Sequence, residues 1–173
     1  SLYSDFMQLE LEGNYLYTTI PHSVGRVLER YMPSLVALHD HNIAATNQFY
    51  IKGRLTDATP LQQLFGINLK LDEPIEIDGN IDDIKEELQL NVTANMFNYN
   101  NAHYELGKIN CNTVSDAFLT NVVLNKFNRK SIITLGIDAT AKNDQLLTNI
   151  SWNNNHPSTN FSGKIVTTTE FQK

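Results

Sequence analysis

The chain has 173 residues, with 13 Lys and Arg against 19 Asp and Glu, a formal charge of −6. That length makes one domain or two small ones and buries roughly two-thirds of the unfolded surface, so a core forms without disulfide or metal staples. No basic stretch exists to neutralise a run of phosphates, which argues against a nucleic-acid partner, and no window approaches ~18 uncharged apolar residues, the length of a membrane-crossing helix. The chain reads as soluble and globular. Asn accounts for 21 of the 173 residues, which predicts many short turns and polar, water-facing positions. Cys111 is the only cysteine, so no intrachain disulfide forms. The sequence opens Ser1-Leu2-Tyr3 without Met and reads as a piece of a longer chain, with any targeting signal or membrane anchor outside it.

Period-2 alternation runs through most of the chain and predicts antiparallel strands with one apolar and one wet face. Met7, Leu9 and Leu11 alternate with Gln8, Glu10 and Glu12, with Phe6 breaking the phase. The 23–38 stretch reads as helix instead. Val24, Val27, Leu28, Tyr31, Leu35 and Leu38 recur at three-to-four spacing, Pro21 precedes them, and Pro33 divides the run into two short pieces. From Asn47 to Leu55 the apolar set is Phe49, Ile51 and Leu55. Thr59 to Phe65 is a second helix, with Thr59 as N-cap, Pro60 at the first position and Gly66 as the stop. Both helical stretches are apolar enough to cover part of the sheet.

From Pro74 onward the pattern is a meander of six or seven strands. Ile75, Ile77 and Ile81 alternate with acidic residues, and Leu88, Leu90, Val92, Ala94 and Met96 alternate with Gln89, Asn91, Thr93 and Asn95. Ile133, Leu135, Ile137 and Ala139 follow, then Thr148 to Trp152, then a looser run through Phe161, Ile165 and Phe171. Asn98 to Asn101, Lys142 to Asp144 and Asn153 to Pro157 sit between them as hairpin loops. The expected fold is mainly β with short helices in the N-terminal third: one β-rich domain over 1–173, strands plus short helical segments in 1–73, and an antiparallel meander in 74–173 curled into an open trough or groove.

Catalytic and metal chemistry is thin. His39-Asp40-His41 is the densest cluster of ligating types, but no further ligand stands at a telling spacing, and the segment reads as a polar loop closing a helix. Asp78-Gly79-Asn80-Ile81-Asp82-Asp83 begins like a calcium loop, yet Asp83 stands where Gly is needed and Gln89 where Glu is needed. Even with Glu86 and Glu87 nearby it reads as an acidic turn, with Gly79 as a strand irregularity. No nucleophile elbow is present, and Cys111 alternates with Ile109 as a small apolar residue. The sequons at Asn91, Asn149 and Asn160 arise by chance in so Asn-rich a chain. No catalytic residue, metal or cofactor is expected.

Leu9 to Tyr15, then Pro21, then Leu28-Glu29-Arg30-Tyr31-Met32-Pro33-Ser34-Leu35 resemble a segment of the TamB-like translocation and assembly module proteins, related to the AsmA-like group. Ile137 to Asp144, Ile150 to Asn153 and Phe161 to Ile165 are similar to the cadence of that family's repeating units: a strand, an Asn-Asp turn, a strand ending in Trp-Asn, a polar loop and a Ser-Gly strand. The helices in the first third depart from a pure β-repeat. The resemblance implies an internal piece of a periplasmic protein anchored in the inner membrane of Gram-negative bacteria by parts not present here. It implies a long curled sheet whose apolar groove carries phospholipid between membranes or assists outer-membrane protein assembly. Its partners would be phospholipid acyl chains or the outer-membrane assembly machinery, and it brings no catalytic residue.

Independently of any family, alternate residues of an open trough line an apolar channel. The groove candidates are Phe49, Ile51, Leu88, Leu90, Val92, Met96, Ile133, Leu135, Ile137, Ile150 and Trp152; each also suits ordinary core. Two other readings compete. A β-sandwich binding or adhesion module would have a sealed core and use its Asn-rich loops around Asn100 and Asn154. A hydrolase would need two carboxylates converging in a pocket.

Overall fold

Side chains that alternate apolar and polar bury one face of a strand and leave the other to water, and adjacent strands must then keep their apolar faces in register. The computed structural model describes residues 1–36, 46–128, 131–156 and 158–172, the side chain of Leu2 aside. His39-Asp40-His41, and the second helical piece as far as it runs beyond Val36, lie outside the described residues.

Among the described residues, eleven strands form one antiparallel sheet. They are β1 (Leu2–Tyr3), β2 (Met7–Asn14), β3 (Gln48–Leu55), β4 (Leu69–Leu71), β5 (Ile75–Asp82), β6 (Glu87–Tyr99), β7 (Ala102–Val114), β8 (Ala117–Asn128), β9 (Ser131–Lys142), β10 (Gln145–Asn154) and β11 (Ser162–Glu170). The sheet order is β1-β2-β3-β5-β6-β7-β8-β9-β10-β11, with β4 paired to the far end of β6. The sheet curls into a trough and does not close. The seven strands from β5 to β11 are the meander expected of the second half.

Two-residue loops set the tightest reversals. Asn100 and Asn101 (φ 47° and 63°) and Asn143 and Asp144 (φ 52° and 60°) both lie in the left-handed region. Tight hairpins need that conformation, and Asn and Asp tolerate it better than other side chains. At Gly79, β5 and β6 approach so closely that a Cβ would collide with the Gln89 carbonyl oxygen. The register of β5 runs unbroken through it, Ile51↔Gly79↔Leu90. Gly79 is thus a close-approach position inside a regular strand, not a strand irregularity.

A 3-10 turn (Tyr17–Thr19) leads into α1 (Ile20–Glu29). The helix starts three residues before the predicted position and takes Pro21 into its first turn, where no donor is lost. α2 (Thr59–Phe65) begins as expected with Pro60 in the first turn and ends on left-handed Gly66 (φ 66°). Its N-cap is Ala58, however, and Thr59 instead donates its N–H (2.9 Å) and its hydroxyl (2.7 Å) to Asp57.

α2 does not cover the sheet as expected: none of its residues is buried, and Leu64 and Phe65 are exposed. Among the described residues the helical cover comes from α1, which lies across the apolar face at one end of the strands. Val27 and Tyr31 are 1% and 2% exposed and pack with Leu88 and Ala141, flanked by Ile81, Leu90, Phe118 and Leu146. This is the core.

Candidate apolar trough

Reading the register from strand to strand gives rows that run across the sheet. One row passes from Leu9 through Gly53, Ile77, Val92, Ile109, Val122, Ile137 and Ile150 to Ile165. Every member is aliphatic or glycine. Eight inter-strand steps of about 4.8 Å make it roughly 38 Å long. The next row toward the end opposite α1 runs through Met7, Leu55, Ile75, Ala94, Gly107, Leu124, Leu135, Trp152 and Gly163.

Ten of the eleven groove candidates fall on this one face. Val92, Ile137 and Ile150 belong to the first row, and Leu135 and Trp152 to the second. Ile51 and Leu90 lie one row nearer α1, Phe49 and Leu88 nearer still, and Ile133 beyond Leu135 beside Asn154. Met96 does not continue the pattern. It is left-handed (φ 44°), 43% exposed, and its carbonyl accepts the N–H of Asp72 at 2.9 Å. The alternation resets there. Phe97 takes the inward position, its ring 3.2 Å from where a Cβ of Gly107 would stand and stacked on Tyr104 at 5.0 Å. No composition signal marks such a reset.

The face is only partly covered. Ile109 is 41% and Ile165 49% exposed, although both sit in the all-apolar row. Where α1 overhangs the sheet, Ile20, Val24 and Leu28 line one helix edge and look across a cavity of about 630 Å³ to Leu9, Leu11, Phe49, Ile51, Leu90, Cys111 and Phe118. That volume lies within the ~300–1,000 Å³ of small-molecule sites. Phe49, Ile51, Leu88 and Leu90 of the candidate set line this cavity; the other groove candidates lie further along the trough. The helix edge was not among the candidate residues, and its signal was the spacing of Ile20, Val24 and Leu28. Cys111 is half-buried in the wall and accepts a 3.7 Å contact from the Thr120 hydroxyl. The ring of Trp152 lies over Gly163, where any Cβ would collide with it.

The opposite face carries a polar row: Glu10, Lys52, Asp78, Asn91, Asn110, Asn121, Asp138 and Asn149. Asn91 donates to Asp78 at 2.8 Å, Asn110 to Asn121 at 3.4 Å, and Asn121 to Asp138 at 2.6 Å. Cross-strand ladders of this kind stabilise a sheet pair by pair. They account for part of the Asn excess, and Asn91 serves here. Asp78, Asn80 and Asp82 are spread along β5 rather than gathered round a point. Among the described residues no group of three or more His, Cys, Asp or Glu is placed to hold a metal ion.

The turn between β5 and β6 is held by Asp82, whose Oδ1 accepts from Gln48 Nε2 and from the backbone N–H of Ile84 and Lys85, each at 3.0 Å. The Gln48 bond first, then the Lys85 N–H, keeps this carboxyl below its ordinary value of 3.8. Its contribution to stability is therefore complete above that ordinary value and fades as pH falls through the lower folded one. Melts between roughly pH 5 and pH 2 should show less acid sensitivity in Asp82→Asn than in the native chain.

Beside it, Asp83 is a buried anchor, its side chain 1% exposed. Its Oδ2 accepts from Arg26 Nη2 at 2.6 Å, Ser23 Oγ at 2.7 Å and the Asn47 N–H at 2.8 Å. Asn47 in turn donates to Ser23 Oγ (2.6 Å) and Thr19 Oγ1 (3.0 Å) and accepts from the Leu16 N–H (2.7 Å). Among the described residues no helix is long and apolar enough to cross a membrane. No protein-family model matches the chain, and no curated protein or solved structure matches it.

Proposed function

We propose that this chain is a trough segment of a TamB-like envelope-biogenesis protein, working in the periplasm, whose apolar face receives phospholipid acyl chains. The supporting observation is the unbroken apolar row from Leu9 to Ile165, with exposed aliphatic side chains along it and a polar ladder on the opposite face. Contiguous exposed apolar surface of this extent marks a binding surface in a folded protein. An acyl chain laid along it supplies the missing half of a core, each buried methylene contributing about 0.8 kcal/mol. Its headgroup stays at the open side of the trough, in water. No step of bond making is involved.

Trp152 is the only tryptophan and sits in the second row, so its fluorescence reports on the trough directly. Phospholipid brominated along its acyl chains should quench it on uptake, and unbrominated lipid should not. Ile165→Asp places a carboxylate beside Ile150 on the exposed edge strand, where folding is little affected but an acyl chain would have to desolvate it. Uptake should weaken at least about tenfold, or 1.4 kcal/mol. Absence of quenching at any lipid concentration, or quenching indifferent to Ile165→Asp, would remove this reading.

A further inference from the structure

We infer that α1 and the turn after it are a brace that fixes the width of the trough, with Asp83, Asp144 and Ser34 as positioning residues for whatever the trough holds. The inference rests on the acyl-chain reading only for the nature of that occupant. The segment is tied at both ends to strand turns on the same side of the sheet. At its start Ser23 and Arg26 bind Asp83 in the β5–β6 turn. At its end the Ser34 N–H and hydroxyl bind the two carboxylate oxygens of Asp144 at 2.7 and 3.1 Å, and the Asp144 N–H returns a 3.0 Å bond to the Tyr31 carbonyl. Asp144 lies in the β9–β10 turn, so the segment bridges β6, β7, β8 and β9.

From Ser23 to Glu29 the segment is helical, about 9 Å at a rise of about 1.5 Å per residue, and two hydrogen-bonded turns, closed on the Leu28 and Met32 carbonyls, carry it on to Ser34. The two turns stand four inter-strand spacings apart, about 19 Å along the sheet. A segment tied to both turns opposes both flattening and tighter curling of the strands between its anchors. Between the anchors, Val27 and Tyr31 are clamped onto the sheet, while Ile20, just before the first anchor, and Val24 and Leu28 face the β2–β3 wall across the cavity. Without both ties that wall and the helix edge would be free to collapse on each other, since both are apolar.

Asp144→Gly tests the brace selectively. It removes both carboxylate acceptors, yet gives the hairpin an Asn-Gly pair, the sequence such turns favour most, so the turn itself is not weakened. Asp144→Asn keeps one acceptor oxygen and tolerates the left-handed backbone. In a Cys111→Ser background, nitroxide labels on Lys52→Cys and Lys164→Cys report the separation of the two walls by pulsed electron resonance. The expected result is one narrow distance for the native chain, a shifted or broadened one with reduced brominated-lipid quenching of Trp152 for Asp144→Gly, and restoration of both by Asp144→Asn. An unchanged distance, or a changed distance with unchanged uptake, overturns the brace. If native protein is never quenched but Asp144→Gly still alters the distance, the acyl-chain reading fails and the brace stands as a device for another occupant.

Discussion

Tyr31→Ala is expected to cost about 4 kcal/mol, the largest loss of any single side chain in α1 and the turn after it. Tyr31 is 2% exposed and stands at the point where helix, β8 and the β9–β10 turn converge. Its ring lies 6.2 Å from that of Phe118, and the Arg30 guanidinium sits 5.6 Å above it. Truncation removes the apolar packing and leaves a void that the sheet cannot close, because the Asp144 N–H still holds the residue-31 carbonyl. For a chain of this size the melting temperature should fall by about 8–16 °C. Leu28→Ala is the comparison. Leu28 faces the cavity rather than the core, so it has far less packing to give up, and its truncation should cost less than half as much. Equal losses at the two positions would mean that the packing asymmetry of α1 is not real, and with it the distinction between a clamped face and a face held clear of the opposite wall.

How far this could be foreseen depends on the range of the interaction concerned. Most strands were legible because alternation is a local property: Leu88 to Ala94 and Ile133 to Ala139 declare their apolar face without reference to any partner. β7 and β8 were not placed, since an irregularity between Tyr104 and Leu106 shifts the phase of β7 and Val122-Val123-Leu124 breaks the alternation of β8. Since every strand turns one apolar face inward, Phe49, Val92, Ile137 and Trp152 were bound to share a surface once the sheet was antiparallel. Met96 escaped because a left-handed residue inside a strand leaves the composition of the run unchanged. β4 escaped because three residues carry too little pattern. The row from Leu9 to Ile165 and the Asn ladder behind it needed the register, which is set by pairings across the sheet. Least legible were the anchors. Asp83 meets Arg26 across 57 residues and Asp144 meets Ser34 across 110, and each carboxylate stood in the sequence as one more polar turn residue.

That long-range character gives Asp83 the second large effect. Asp83→Ala should lower stability by about 3 kcal/mol. One carboxylate oxygen satisfies three donors from two separate segments, and Ser23 and Asn47 are fully buried. With the carboxylate gone, the Ser23 hydroxyl keeps the Thr19 carbonyl at 3.3 Å, but the Asn47 N–H loses its acceptor in a site that water does not reach freely. The Arg26 side chain is 33% exposed, so its guanidinium can turn toward solvent, which keeps the cost below the upper end for breaking a buried ion pair. Asp83→Asn retains an acceptor of nearly the same shape and should lose only about half as much. Denaturant melts with an unchanged m-value would locate the loss in the native state. The same variant should speed amide exchange in α1 and at Leu16, whose N–H is held by the Asn47 side chain, before it affects β7 to β9. If exchange rises uniformly along the chain, the network holds up the whole fold and does not act specifically as the helix's first anchor. If it rises at α1 alone, the helix is joined to the trough as an element with its own stability, and its two carboxylates are the points at which trough width can be changed without unfolding the sheet.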